Sequence, residues 1–132
     1  MANKIYLAAP WDHKDDMPEI AEKLETQGWT ITRKWWQDDE ESKPLECAIE
    51  DRNGVYNADC LLLINSKKSE GKAVEQGIAI ARGIPIIAVG VKGEHAKNVF
   101  HHLPIYYWTE KLDTAIQILD FVKEVTKDER GG

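Results

Sequence analysis

At 132 residues the chain has room for one domain with one core, burying roughly two-thirds of its unfolded surface. Apolar residues make up 42% and charged residues 30%, the balance of a globular protein, and no stretch approaches the apolar run of about 18 residues that spans a membrane. The formal net charge of −6, with no basic cluster longer than a pair, argues against a duplex nucleic-acid partner while leaving room for a local anion site.

The opening residues lead directly into a strand-like segment without a signal-peptide core, so the cytoplasm is the expected location. Ile5-Tyr6-Leu7-Ala8-Ala9 is a short apolar run stopped by Pro10, a first buried strand. Asp12 is placed to cap a helix whose apolar stripe is Met17, Ile20, Ala21 and Leu24, ending at Gly28. Trp29 to Trp36 is rich in β-branched and aromatic residues and reads as a second strand, with Trp35 and Trp36 on opposite faces. An acidic stretch, Gln37 to Lys43, is the least structured part. Pro44 suits the first turn of a helix reaching about Ala58.

Cys60-Leu61-Leu62-Leu63-Ile64 is apolar throughout, as in a central parallel strand. A loop from Asn65 to Gly71 leads to a helix over Ala73 to Ala81 closed by Gly83, followed by a strand over Ile84 to Val89. Ile105-Tyr106-Tyr107-Trp108 is a fifth strand, and Thr109 caps a last helix through Val125. The reading is one domain over residues 1–126 and a disordered tail over 127–132.

Five strands alternating with helices make an α/β fold: a single-domain, doubly wound, five-stranded parallel sheet in the flavodoxin-like order 2-1-3-4-5. Its switch point lies between strands one and three, so the ligand crevice is expected beyond their carboxyl ends, at Tyr6 to Asp12 and Asn65 to Glu75.

Neither phosphate-binding glycine motif is present, nor a nucleophile elbow. Cys47 and Cys60 read as reduced thiols, no Cys/His spacing suits a metal, and the adjacent His101 and His102 point apart; no metal or other cofactor is expected. Carboxylates and aromatics remain at the crevice. Glu75 is read in the first turn of its helix, where the dipole favours the ionised form by about 0.3–1 kcal/mol. Asp51 sits inside a helix, where Asp is a mediocre former, so a solvated face and a functional role both account for it. Asp59, at the amino end of the third strand, reads as a turn or cap. Tyr6 needs a partner for its hydroxyl if buried, and a carboxylate suits it; Trp11 either packs on a helix or offers a flat face to a nucleobase.

With these residues in view, the chain resembles the nucleoside 2-deoxyribosyltransferase superfamily, which includes deoxynucleoside 5′-monophosphate N-glycosidases. Ile5-Tyr6-Leu7-Ala8-Ala9-Pro10-Trp11 is similar to the family's opening segment, Glu50 to Asp59 to its helix with two aspartates, and Glu75-Gln76-Gly77-Ile78-Ala79 to its nucleophile motif. The resemblance runs from Lys4 to about Asn98 and implies a covalent deoxyribosyl–Glu75 intermediate, with the sugar then passed to another base or to water. It implies that Asp51 handles the proton of the departing base, Tyr6 orients Glu75 and Trp11 stacks on the base.

Ser69 stands where transferases acting on free nucleosides carry an acidic residue, as in the monophosphate glycosidases; a hydroxyl can donate to a phosphate that a carboxylate would repel. Gly71, beside it, joins the candidate substrate-binding residues, and in the first loop His13 or Lys14 would stand in for an arginine and serine of those enzymes. Asn98 matches a polar residue that crosses from a neighbouring subunit, which implies a homodimer or larger. The implied partner is therefore a nucleoside or nucleotide. Two other readings keep the same crevice: a non-catalytic nucleotide-binding module, and a TIR-like NAD glycohydrolase.

Overall fold

A computed structural model of the chain describes residues 3–94 and 98–131, with side chains as far as Lys123. The elements in chain order are β1 (Lys4–Ala8), α1 (Met17–Thr26), β2 (Thr30–Ile31), α2 (Pro44–Tyr56), β3 (Cys60–Ile64), α3 (Glu70–Arg82), β4 (Ile86–Val89), β5 (Tyr106–Thr109) and α4 (Leu112–Gly131). Short 3-10 turns at Trp11–Asp16, Trp35–Gln37 and Val99–His102 join them.

The sheet is parallel throughout and has the expected order β2-β1-β3-β4-β5. All five residues of β3 are buried, which explains an apolar run with no alternation: helices cover both faces. In register, Tyr6 lies beside Leu61 and Ala8 beside Leu63, so the carboxyl ends of β1 and β3 finish level at the switch point. The predicted stripe of α1 is buried at Met17, Ile20, Ala21 and Leu24. Gly83 ends α3 in the left-handed region at φ +70°, as expected of a glycine past a helix end. At the carboxyl edge of the sheet Gly90, at φ +137°, runs so close to the end of β3 that a Cβ would lie 3.1 Å from the Asn65 carbonyl oxygen.

Four expectations need correction. The second strand spans two residues rather than eight, because the chain leaves the sheet at Thr32 and turns through Trp35–Gln37. Trp35 buries itself there, donating from Nε1 to the Leu7 carbonyl at 2.7 Å, so the two tryptophans do not alternate across a sheet. Asp12 caps nothing; it sits in a 3-10 turn, and α1 starts at Met17. The helix after β3 begins at Glu70, with Ser69 at its cap. The last helix begins at Leu112 and its backbone continues to Gly131, through the segment read as a disordered tail, where Lys127, Asp128, Glu129 and Arg130 keep up a run without Gly or Pro. Gly132 lies outside the described residues.

Candidate active site

The strand register carries the Tyr6 side chain, fully buried, out of the middle of β1 toward α2 and α3. Its hydroxyl donates to Glu75 Oε2. Tyr6 can approach α2 because the helix presents Gly54: a Cβ there would lie 3.1 Å from the tyrosine ring and 2.8 Å from Arg33 Cβ. One glycine thus makes room for two side chains of the site.

Glu75 lies in the second turn of α3, one turn further in than the sequence reading placed it. The helix dipole acts mainly within the first turn, so it does not set the charge of this carboxyl. Burial does: it pushes the pKa up to about 7, with the Tyr6 hydrogen bond and the Lys72 charge pulling down and the Asp51 charge pushing up. Glu75 is therefore close to half ionised at neutral pH rather than fully charged. Tyr6 is pushed far above its ordinary value, first by burial and then by Glu75, and so remains the donor.

Asp51 is half-buried on α2 and close enough to Glu75 to raise its pKa. It accepts from Arg33 Nε at 2.9 Å, while the other arms of that guanidinium meet Asp38 at 2.6 Å and Glu50 at 3.2 Å. Burial nevertheless holds the Asp51 pKa above the ordinary carboxylate range, against the pull of Arg33. A carboxyl that keeps its proton longer than usual, next to one that shares a tyrosine hydrogen bond, is a pairing suited to acid and nucleophile roles.

The loops on either side of the switch point are tied together. His13 Nε2 meets Ser66 Oγ at 2.7 Å, with Nδ1 3.3 Å from Asp16, and Lys67 pairs with Asp12. Trp11 stays half exposed over the crevice, its ring 5.8 Å from that of Trp35 with Lys14 Nζ 5.1 Å from its centre. Asp59 accepts from the backbone N–H groups of Asn3 and Lys4 at 3.0 Å each, the structural role expected of it.

An open cavity of about 760 Å³ lies along α3, floored by the loop after β3 and walled by Asn98, Val99 and His101. Ser69 lines it and caps α3, accepting from the Lys72 N–H at 3.4 Å. Asn98 lines it from within the same chain, its Oδ1 accepting from the Phe100 N–H at 3.0 Å. Gly71 is exposed at the head of α3, and a Cβ there would make only an ordinary contact, 3.8 Å from Ser69 Oγ. Glu75 does not line this cavity; it projects roughly 60° round the helix from Lys72, which does. The structure thus gathers Tyr6, Asp51 and Glu75 on one flank of α3 and Ser69 and Asn98 on the next, with Trp11 and His13 across the crevice. Among the described residues no cluster of His, Cys, Asp or Glu has the arrangement of a metal site.

Sequence reasoning passed over Arg33 and Lys72. The pairing of Arg33 with Asp51 spans 18 residues and leaves no local pattern. Lys72 did leave a signal: a cation in the first turn of a helix opposes the dipole, and such a residue needs a reason to be there.

No family model and no curated protein matches the sequence. Solved structures do match the fold. The chain is similar to the CMP N-glycosidase BcmB of Clostridium botulinum, with a TM-score of 0.65 over 91% of this chain and 99% of that one, at 21% identity. It is similar to BlsM, with a TM-score of 0.64 over 90% of this chain and 88% of that one, at 19% identity. A conserved protein from Enterococcus faecalis V583 follows, at 0.55 over 97% and 99% with 19% identity. The five-stranded parallel α/β fold expected from the alternating strands and helices is the fold this chain has, and these solved structures share it.

Proposed function

We propose that the chain cleaves the N-glycosidic bond of a 2′-deoxynucleoside or a nucleoside 5′-monophosphate with retention, Glu75 acting as nucleophile. The observation that carries this reading is the convergence of the Tyr6 hydroxyl on a half-buried Glu75 that lies within the field of Asp51. The shared fold with a CMP N-glycosidase supports it and brings monophosphates into the substrate range.

The ionised Glu75 attacks C1′ as the bond to the base breaks, passing through an oxocarbenium-like transition state. Both electrons of that bond go to the base nitrogen, and Asp51, whose pKa burial raises, supplies the proton. A glycosyl ester on Glu75 remains. Water or a second base then attacks C1′ and the carboxylate leaves, giving hydrolase or transferase activity. Tyr6 holds Glu75 Oε2, so the other oxygen is the one presented to the sugar. Trp11, half exposed above the crevice, stacks on the base, and Ser69, Gly71, His13 and Asn98 line the route to the 5′ end.

A substrate panel tests this directly. The protein is incubated with each deoxynucleoside, each nucleoside 5′-monophosphate and NAD, with and without a second free base, and base release and exchange are followed. Base release that Glu75→Gln lowers by about 10³-fold or more is expected. Turnover of NAD alone would move the assignment to a NAD glycohydrolase, and binding without turnover of any substrate would leave a nucleotide-binding module.

A further inference from the structure

The guanidinium of Arg33 is spread over three carboxylates. Nε donates to Asp51 Oδ1 at 2.9 Å, Nη2 donates to Asp38 Oδ2 at 2.6 Å, and Nη1 lies 3.2 Å from Glu50 Oε2. The side chain is 12% exposed, so this is a sheltered cation rather than a surface one. Several elements build the arrangement. The departure of the chain from the sheet at Thr32 carries Arg33 over α2, where Gly54 clears the space: a Cβ there would lie 2.8 Å from Arg33 Cβ. Glu50 and Asp51 stand one turn before Gly54 on the same helix. Asp38 follows the short turn that Trp35 anchors through its bond to the Leu7 carbonyl.

Two consequences follow from the chemistry of this fork. A guanidinium has donors only and is always charged. In a neutral carboxyl the carbonyl oxygen is the better acceptor, so a charged donor fixed on Oδ1 makes Oδ1 the carbonyl and puts the proton of Asp51 on Oδ2. Oδ2 accepts no hydrogen bond among the described residues and is the oxygen left for a ligand. Cys47, Tyr6 and Glu75 also lie within the field of Asp51, but none of them hydrogen-bonds its carboxyl. The second consequence concerns charge balance. Asp38 and Glu50 keep the guanidinium paired whether Asp51 is ionised or neutral. A cation paired with Asp51 alone would lose its counter-charge each time the acid took up its proton.

We infer that Arg33 is the positioning residue of the leaving-group acid: it confines the Asp51 proton to Oδ2, on the side of the departing base, and stays in place while that proton comes and goes. This role rests on the reading of Asp51 as the acid. As the C1′–N bond breaks, its electrons go to the base nitrogen and the Oδ2 proton follows them. The O–H electrons stay on Asp51, where the bond from Nε stabilises the new carboxylate. When water attacks the glycosyl ester, Oδ2 takes the proton that the water gives up.

A double-mutant cycle on the full chain tests this. Base release is followed for the parent, Arg33→Met, Asp51→Asn and the double variant, on the nucleoside or nucleotide that the substrate panel finds cleaved fastest. Each single variant should lose about 100-fold in kcat with KM within about threefold of the parent, and the double variant should be no slower than Asp51→Asn. The 5-phosphate of 4-nitrophenyl 2-deoxyriboside, whose leaving group departs as a stable anion, should lose less than about threefold in Arg33→Met. Circular dichroism verifies each fold. If Arg33→Met does not fold, Arg33→Lys, which keeps the charge without the fork, takes its place in the cycle and should show the same non-additivity. Losses that multiply in the double variant, or a nitrophenyl substrate slowed as much as the natural one, would overturn the inference and leave the glycosidase reading intact. A parent protein that releases no base from any substrate would end the glycosidase reading, and this inference with it.

Discussion

The chemistry of single residues is set by burial more than by charge partners. Glu75 has a pKa of about 7 against an ordinary 4.5, so its ionised fraction grows as pH rises through neutrality, and kcat/KM should climb with it. Tyr6→Phe removes a hydrogen bond that lowers this pKa; the rising limb of the profile should move to higher pH, and the plateau should fall by about 10- to 100-fold. An unmoved limb would mean that the tyrosine does not touch the ionised form. The same shift has a cost in stability. Between pH 4.5 and about 7 the folded chain holds a proton on Glu75 that the unfolded chain has released, so its contribution to stability falls as pH rises and is fully lost above 7. Glu75→Gln has no such penalty and should be the more stable protein at about pH 8, by about 1–3 kcal/mol in urea melts, with the gap closing at about pH 4. Tyr6 and Glu75 could be singled out from sequence because a buried tyrosine needs a partner. The charge state of Glu75 could not, since it depends on how deeply a side chain in the second helical turn is buried.

Elements decide which residues meet. Gly54 sits where α2 passes β1, and Val55 is the only other residue that α2 buries fully, so the role of Gly54 is access rather than core formation. Gly54→Ala should cost about 1–3 kcal/mol through the clash with Arg33 and Tyr6, outweighing the gain of up to about 1 kcal/mol in helix propensity. Gly77→Ala, on an open face of α3 with nothing within 4 Å, should instead stabilise by about 0.5–1 kcal/mol. Thermal melts of the two variants give opposite signs if the close approach at Gly54 is real. Strongly apolar or striped elements such as β3 and α1 were legible in the sequence because burial on both faces or on one face leaves a pattern. The second strand was not: aromatic and β-branched residues favour strands, but Trp35 found a better place by leaving the sheet to meet the Leu7 carbonyl.

At the scale of the whole molecule, alternating strands and helices limit the topologies to a few, which is why the sheet order could be read from sequence and the carboxyl-end crevice located with it. The acidic chain as a whole, at −6, still gathers Lys67, Lys68 and Lys72 along one cavity, a grouping that net charge hides. Leu45, Val74, Val99 and Phe100 are each more than half exposed, in keeping with the homodimer or larger assembly that we expect; light scattering on the purified protein should return at least twice the monomer mass of 15.0 kDa. The account as a whole depends on a bond forming between Glu75 and C1′ of a sugar. Mass spectrometry of acid-quenched reactions tests this most directly: a glycosyl adduct on the peptide containing Glu75 is expected within the first turnover, absent from Glu75→Gln. Base release at full rate with no adduct on that peptide, or with an adduct on another residue, would contradict it.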